Sequence, residues 1–244
     1  MKYTFPYTIR ISDLDFGLRI KPSAVLDIFQ EAATLHAASI GMTYEAMKEK
    51  GMFWILSRIG AQIISHPKRF ETIQVETWPR VPQGVSTRRE YVIRNNKGEV
   101  VIKGSARWVL MDYKTMKVAR VKPSNLFDLF GIFGEGEGLE GGAIKVREID
   151  PSRKKKVHKL TSSYSDLDIN MHVNNIKYAE YFYDILGEYE IRQGVTSFHI
   201  NYLSELSAKK EIKIISQRDE NIIIGEGTSG INIVFRAQME LGNR

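Results

Sequence analysis

The sequence contains no cysteine, which excludes disulfide bridges, thiolate metal sites and a cysteine nucleophile. It also lacks a long hydrophobic run, because the most apolar stretch, residues 53–64, is interrupted by Arg58 and Gln62. A membrane span requires roughly 18 apolar residues, so none is expected. The first residues, MKYTFPYTIR, have no apolar segment of the kind found in signal peptides. These absences predict a cytoplasmic protein.

The charge balance is basic, with 35 Lys and Arg against 29 Asp and Glu and a pI near 9.3. A formal net charge of +6 could attract nucleic acid, anionic lipid or an acidic protein. The most basic stretch is residues 145–160, and no groove-reading helix or aromatic platform accompanies it. We therefore expect no nucleic-acid partner. The stretch is interpreted either as a solvated linker or as a contact surface for an acidic protein.

A short motif occurs twice, as SDLDFG at Ser12–Gly17 and as SDLDIN at Ser165–Asn170, 153 residues later. A helical pattern follows each copy. In the first, residues 24–39 carry apolar side chains at helical spacing, and Gly41 is expected to end the helix. In the second, the pattern covers residues 176–186.

The second helix has predicted caps at both ends. Asn174 stands directly before the apolar pattern and is a suitable N-cap residue. Gly187 follows the pattern and is expected to end the helix in the left-handed conformation.

Strand patterns separated by turn residues follow each helix, and Asn95–Gly98 is a hairpin signal between two of them. One helix followed by four or five antiparallel strands, twice, predicts a duplicated α+β unit. The predicted strands are residues 54–65, 70–78, 85–94, 99–111 and 116–121 in the first half, and 196–204, 211–217, 221–225 and 231–241 in the second.

This order is typical of a tandem, or double, hotdog fold, in which each unit is a curved antiparallel β-sheet wrapped around a long central helix. A single hotdog unit normally pairs with another, so two copies in one chain can pair with each other. We expect an N-terminal hotdog at residues 1–125 and a C-terminal hotdog at 155–244. The linker at 126–154 is rich in Gly and Glu over residues 130–142, which predicts flexibility, and is basic thereafter.

Three motifs resemble cofactor or metal sites, but the residues within or after them do not fit such sites. The two GxGxxG matches, at 136–141 and 225–230, are not followed by a helical pattern and are interpreted as turns. The segment from Asp166 resembles a calcium loop, but Met171 and Lys177 occupy the positions that need Gly and Glu. We therefore expect neither a cofactor nor a metal.

The second motif copy is unusually polar. Polar side chains occupy every second position from 166 to 174, and such residues face one side of an extended segment. They precede a helix, whose free N–H groups can stabilise an oxyanion. A set of helix caps and Asx turns explains the same pattern. The first copy is an internal control: Gly17 replaces Asn170 and Arg19 replaces His172, so the shared fold does not require the Asn–His pair.

Glu205 ends a strand that should cross the second helix. An isolated glutamate at a strand end is more often simply exposed. The other histidines are each interpreted as structural or solvated: His36, His66, His158 and His199.

The chain resembles the acyl-[acyl carrier protein] thioesterases of plants and bacteria over nearly its whole length. SDLDINMHVNNIKY at Ser165–Tyr178 is similar to the signature around the catalytic residues of that family. FHINYLSE at Phe198–Glu205 resembles the strand that ends in its catalytic acidic residue. Phe53–Arg58, Val75–Trp78 and Thr87–Arg89 resemble its N-terminal hotdog.

The resemblance implies hydrolysis of a fatty acyl-[acyl carrier protein] thioester, with Asp168, Asn170, His172 and Glu205 as the catalytic set. Leu206 stands where many plant members have a cysteine. Two mechanisms fit. Glu205 with His172 activates water while Asp168 and Asn170 orient the site, or Asp168 attacks directly to form an anhydride.

The resemblance also implies how substrate binds. Backbone N–H groups near Asn174 and Asn175 would stabilise the oxyanion, and the N-terminal unit would hold the acyl chain. Candidate lining residues are Val25, Phe29, Trp54 and Leu56, although core packing explains these four equally well.

The implied partner is an acidic acyl carrier protein that carries the acyl group on phosphopantetheine, and Arg153–Lys156 is a candidate for part of its docking surface. An acyl-CoA thioesterase and a non-catalytic acyl-thioester-binding regulator are the alternatives. A homodimer is possible but not required.

Overall fold

The computed structural model describes residues 2–121 and 133–242, and its elements fall into two similar halves. The first half contains β1 (Tyr3–Thr8), α1 (Pro22–Ser39), α2 (Tyr44–Glu49), β2 (Met52–Ile63), β3 (Thr72–Pro79), β4 (Ser86–Arg94) and β5 (Val100–Asp112). The second contains β6 (Lys156–Thr161), α3 (Asn175–Tyr183), α4 (Glu188–Gln193), β7 (Val195–Tyr202), β8 (Glu211–Asp219), β9 (Ile222–Ser229) and β10 (Asn232–Leu241).

The strands form one continuous antiparallel sheet in the order β1-β3-β4-β5-β2-β7-β10-β9-β8-β6. Counted outward from its centre, each half repeats the same order of equivalent strands. The halves meet where β2 pairs with β7, from Arg58 opposite Asn201 to Gln62 opposite Ser197. The order of strands in the sheet therefore shows the duplication that the repeated motif predicts.

Both long helices pack on one face of this sheet. In α1, Val25 and Phe29 are fully buried, and the Phe29 ring stacks on Tyr91 of β4 with centroids 4.2 Å apart. Pro22 lies in the first helical turn, where its missing N–H costs no hydrogen bond. Gly41, with φ +72°, follows the helix end as predicted.

The second helix is shorter than its pattern predicts, and its expected C-terminal glycine is wrong. The helix ends at Tyr183, and Gly187 has φ −80° as the N-cap of α4. The Glu190 carboxylate accepts the Gly187 N–H at 2.7 Å and starts this new helix. The apolar spacing continues through both helices, which is why periodicity alone merges them.

Two strand assignments also differ from the sequence pattern. The predicted strand at 116–121 is absent, and Val118 forms only an isolated bridge with Met111. Residues 156–161, which the charge pattern places in the basic stretch, form the edge strand β6. Charged side chains are common on edge strands because they discourage pairing with other chains.

The described part of the linker, residues 133–150, lies across the sheet face opposite α1 and α3. A Cβ on Gly134 would lie 2.7 Å from Trp78, so only glycine fits at this contact. The Val146 N–H donates to Asn201 Oδ1 at 2.8 Å, and the Asp150 N–H donates to Gln217 Oε1 at 2.9 Å. These residues are therefore packed, unlike the flexible linker that the glycine content predicts. Residues 126–132 of the predicted linker lie outside the described residues.

Gly104 on β5 allows α1 to approach the sheet, because a Cβ there would lie 2.1 Å from Phe29 Cε2. We expect Gly104→Ala to lower the free energy of unfolding by about 1–3 kcal/mol through overpacking. Ser105→Ala is the matched control, since the neighbouring Ser105 hydroxyl is buried without a hydrogen-bond partner. Urea denaturation measures both, and equal midpoints for the two variants would contradict this packing role.

Candidate active site

The loop before α3 is built around Asp168. Its Oδ1 accepts the N–H of Asn170 at 2.8 Å and that of His172 at 3.4 Å, while its own N–H donates to the His172 carbonyl at 2.8 Å. Met171 completes this tight turn with φ 63°. Asx turns of this kind fix the backbone locally. The Asp168 carboxylate therefore positions the residue that carries the imidazole.

His172 and Glu205 lie together. His172 Nε2 is 3.3 Å from Glu205 Oε2, and their side chains are 41% and 65% exposed. The loop after β7 is held to the His172 loop because the Val173 N–H donates to the Leu206 carbonyl at 2.7 Å. The structure thus brings together the imidazole and the carboxylate that the resemblance assigns to one catalytic set.

Asn170 differs from its two neighbours in the motif. It is exposed, and its side chain forms no hydrogen bond with a residue of the described ranges. The adjacent Ile169 is 85% exposed at the tip of the same turn. The amide of Asn170 is therefore free to contact a bound molecule.

The two asparagines at the start of α3 have different roles. Asn174 Oδ1 accepts the Ile176 N–H at 3.0 Å, which confirms the predicted N-cap. The Asn174 N–H is already donated to the Asp166 carbonyl at 2.8 Å. The Asn175 N–H has no acceptor among the described residues, whereas the Asn175 carbonyl accepts the Tyr202 hydroxyl at 3.0 Å. Of the two backbone donors expected here, Asn175 supplies the available one.

Aromatic residues that the sequence reasoning missed lie beneath this site. Tyr178 is buried and makes edge contacts with Tyr202 and Tyr181, with centroids 5.6 and 6.2 Å apart. Burial raises the pKa of Tyr178, and the charges of Glu205 and Asp168 raise it further. The Tyr178 phenol therefore stays protonated near the Glu205 and Asp168 carboxylates. Tyr178 could have been noticed from its place in the family-like motif.

The four predicted acyl-lining residues fall into two groups. Val25, Phe29 and Leu56 are buried in the main hydrophobic core. Trp54 is half-buried against a smaller cluster formed by Met47 and Leu110. Core packing accounts for the positions of all four.

The first motif copy repeats the backbone of the second. Asp15 Oδ1 accepts the N–H groups of Gly17 at 2.7 Å and Arg19 at 2.9 Å, and Leu18 has φ 59°. Arg19 Nη1 donates to the Ile191 carbonyl at 3.1 Å, so it ties the halves together. The turn therefore belongs to the shared fold. At the position of Arg19, only the second motif copy has a histidine, His172.

The loop that carries Glu205 also has an equivalent. The N–H groups of Leu203 and Ser204 both donate to the Val234 carbonyl, just as those of residues 64 and 65 both donate to the Val101 carbonyl. His66 therefore occupies the position of Glu205. Burial lowers the pKa of His66, and the neighbouring Arg19 lowers it further, whereas Asp15 raises it. At these two equivalent positions, the first half thus has Arg19 and His66, and the second half has His172 and Glu205.

The remaining buried histidines lie outside this site. His36 Nδ1 is 2.9 Å from Arg89 Nη1, and burial lowers the pKa of His36 to about 4. His199 Nδ1 accepts the Ile144 N–H of the linker at 3.4 Å, and burial lowers the pKa of His199 to about 4. Both are therefore neutral structural groups at pH 7.

Over residues 2–121 and 133–242, no cluster of three or more His, Asp or Glu side chains is placed to hold a metal ion. No helix in the same ranges combines the length and apolarity needed to cross a membrane.

A tyrosine hydroxyl braces the first aspartate of each motif copy, from β1 in the first half and from α3 in the second. The Tyr181 hydroxyl donates to Asp166 at 2.7 Å, and the Tyr7 hydroxyl donates to Asp13 at 2.9 Å. We expect Tyr181→Phe and Tyr7→Phe each to lower the free energy of unfolding by about 1.5–3 kcal/mol, because a partly buried carboxylate loses a donor. Urea denaturation checks this, and an unchanged midpoint in either variant would contradict the bracing role of that hydrogen bond.

Comparisons with known proteins agree with this geometry. The family model for the acyl-ACP thioesterase N-terminal domain matches residues 1–128, and that for the C-terminal domain matches residues 149–243. A palmitoyl-acyl carrier protein thioesterase of Gossypium hirsutum is 26% identical over 181 residues, or 70% of this chain and 44% of its own. A dodecanoyl-[acyl-carrier-protein] hydrolase of Cinnamomum camphora is 24% identical over 231 residues, or 90% of this chain and 59% of its own. The chain therefore spans about half the length of these curated relatives.

Solved structures share the whole architecture. An acyl-ACP thioesterase from Bacteroides thetaiotaomicron superposes with a TM-score of 0.87 at 24% identity, covering 98% of this chain and 97% of its own. The 12:0-ACP thioesterase of Umbellularia californica also gives 0.87, at 22% identity, covering 98% and 96%. These similarities confirm the predicted α+β tandem hotdog fold. Since the two family models together match most of the sequence, the chain belongs to the acyl-ACP thioesterase family.

Proposed function

We propose that the protein hydrolyses the thioester of a fatty acyl-[acyl carrier protein] and releases the free fatty acid. The observation that carries this proposal is the 3.3 Å contact between His172 and Glu205 beside the start of α3. The equivalent place in the first half holds Arg19 and His66, so folding does not require this pair. The family and the printed activities of the relatives support the substrate class.

Water is activated by the His172–Glu205 pair. With its Nε2–H directed to Glu205, the neutral imidazole leaves Nδ1 to take a proton from water, and the carboxylate stabilises the resulting imidazolium. The hydroxide oxygen bonds to the thioester carbon, and the oxyanion accepts the Asn175 N–H. Collapse then breaks the carbon–sulfur bond, and His172 returns its proton to the thiolate.

We assign Asp168 a positioning role and Asn170 an orienting role. Asp168 Oδ1 is occupied by two backbone N–H groups, and Asp15 holds the same bonds in the copy that lacks the His–Glu pair. The free side chain of Asn170 faces no competing partner in the described ranges and can orient the thioester. In the second mechanism, the other oxygen of Asp168 attacks the thioester and forms an anhydride.

The acyl chain is proposed to bind in the N-terminal unit, residues 1–125, with the catalytic groups in the C-terminal unit, residues 155–244. Trp54 and Leu56 precede Arg58 on β2, whose partner on β7 is Asn201. They therefore lie at the end of the strand junction where Glu205 follows β7. Val25 and Phe29 of α1 share the main hydrophobic core with Leu56.

The carrier protein is the proposed partner, since the net charge of +6 suits an acidic protein. The docking role expected for Arg153–Lys156 is limited because Arg153 already pairs with Asp219 at 3.1 Å. Lys154 and Lys155 remain exposed before β6.

Substitution of the pair tests the proposal. We expect His172→Ala and Glu205→Gln each to lower turnover of acyl-[acyl carrier protein] by at least about 100-fold, as for loss of a general base. His66→Ala is the matched control, because it changes the equivalent position of the first half and should leave turnover unchanged. Thiol release measures all three, with circular dichroism as the check on folding. Wild-type turnover in the folded His172→Ala and Glu205→Gln variants would remove the assignment.

Asp168→Asn separates the two mechanisms within the same experiment. Its amide oxygen can still accept the two backbone N–H groups, but its charge is lost. With Asp168 as a positioning residue, the variant keeps turnover well above that of Glu205→Gln. Turnover as low as that of Glu205→Gln would instead favour direct attack by Asp168.

A further inference from the structure

Three arginines lie opposite one another on the sheet face that points away from α1 and α3. Arg88 on β4 pairs with Arg107 on β5, and Arg107 pairs with Arg58 on β2. Neighbouring strands are about 4.8 Å apart, and like charges placed directly opposite are destabilising. Such a row at the centre of the sheet needs negative charge to balance it.

Protein groups supply only part of that balance. Arg88 Nη2 lies 2.7 Å from Glu90 Oε1, and Arg80 Nε lies 3.7 Å from the same oxygen of this fully buried residue. Neither Arg107 nor Arg58 forms an ion pair within residues 2–121 and 133–242. Arg107 Nη1 donates only to the Ser86 hydroxyl at 3.3 Å. Two of the three arginines in the row therefore have no acidic partner in the described part of the chain.

Further polar atoms in or beside the row also lack partners. Arg88 Nε and the Ser105 hydroxyl are buried without a hydrogen bond to the described part of the protein. Buried polar groups are usually hydrogen-bonded, and an exception often marks a bound water or ion. Burial and the Arg107 charge lower the pKa of Arg58, which shows that the repulsion reaches this third arginine.

A cavity opens beside these groups. Its volume is about 310 Å³, at the small end of ligand sites, and Arg80, Arg88, Arg107 and Ser86 line it. Glu135 of the linker is the acidic residue among the described lining residues, and it is exposed. The linker forms one wall through Gly134, which is fixed against Trp78.

We propose that this cavity binds a phosphate group, held by Arg80, Arg88 and Arg107. Guanidinium groups match phosphate oxygens through paired N–H donors, and the Ser86 hydroxyl adds a neutral donor. A bound phosphate would also relieve the repulsion along the arginine row. The cavity lies on the sheet face opposite the helices, so it is separate from the His172–Glu205 pair.

Calorimetric titration of the full chain with inorganic phosphate tests this, with sodium chloride at matched ionic strength as the reference. We expect Arg107→Gln to weaken phosphate binding by at least about tenfold, the effect of losing a hydrogen bond to a charged group. Lys103→Gln is the matched control, since Lys103 is on the same strand and face but pairs with Glu137 at 3.5 Å. It should bind phosphate like the wild-type protein.

Thermal unfolding gives an independent readout that does not depend on hydrolysis. At one phosphate concentration, phosphate should raise the Tm of the wild-type protein and of Lys103→Gln by similar amounts, and that of Arg107→Gln by less. Without phosphate, Arg107→Gln should unfold at the same or a higher temperature, because one of three opposed charges is removed. No phosphate binding by the wild-type protein, or equal binding by Arg107→Gln, would overturn the proposal.

A second titration distinguishes the sources of the phosphate. Phosphopantetheine and unphosphorylated pantetheine are compared on the same three proteins. Binding of phosphopantetheine that exceeds that of inorganic phosphate and depends on Arg107 would identify a phosphate ester as the ligand. Equal binding of the two phosphates would identify the free ion.

Discussion

The pairing of β2 with β7 is the constraint on which the rest of the structure depends. It joins two similar half-sheets into one and sets α1 and α3 side by side on the same face. Because Arg58 is opposite Asn201, the start of β2 lies at the end of the junction where Glu205 follows β7. Within the first half, the registers of β2 with β5 and of β4 with β5 align Arg58 with Arg107 and Arg88 on the opposite face. The β2–β7 register therefore positions the candidate active site, whereas the registers inside the first half position the arginine cavity.

The two halves keep the same backbone but differ in chemistry. Asp15 and Asp168 accept equivalent backbone N–H groups, so this aspartate is needed for the turn in both copies. The side chains presented by that frame are Arg19 with His66 in one copy and His172 with Glu205 in the other. The first pair ties the halves through the Ile191 carbonyl, while the second remains open to solvent. One duplicated frame thus supplies an internal brace and the proposed catalytic pair.

Much of this could be predicted from sequence, because the decisive signals are local. The repeated motif predicts the duplication, and Asn174 is the N-cap that its position before the helix indicates. The helix break at Tyr183 and the role of Gly187 could not be predicted, since the apolar spacing continues across them. Asn175 as the available N–H donor depends on which backbone acceptors fold nearby. The arginine row escapes sequence analysis altogether, because its members meet only through strand pairing.

The most direct test of the central claim is thiol release from matched acyl-[acyl carrier protein] and acyl-CoA substrates over a series of chain lengths. We predict faster cleavage of the carrier-protein series, with kcat/KM falling as salt is added, because the encounter is electrostatic. Faster cleavage of the CoA series would keep the chemistry but contradict the proposed partner. No thiol release from either series would contradict hydrolysis itself and leave a protein that only binds acyl thioesters.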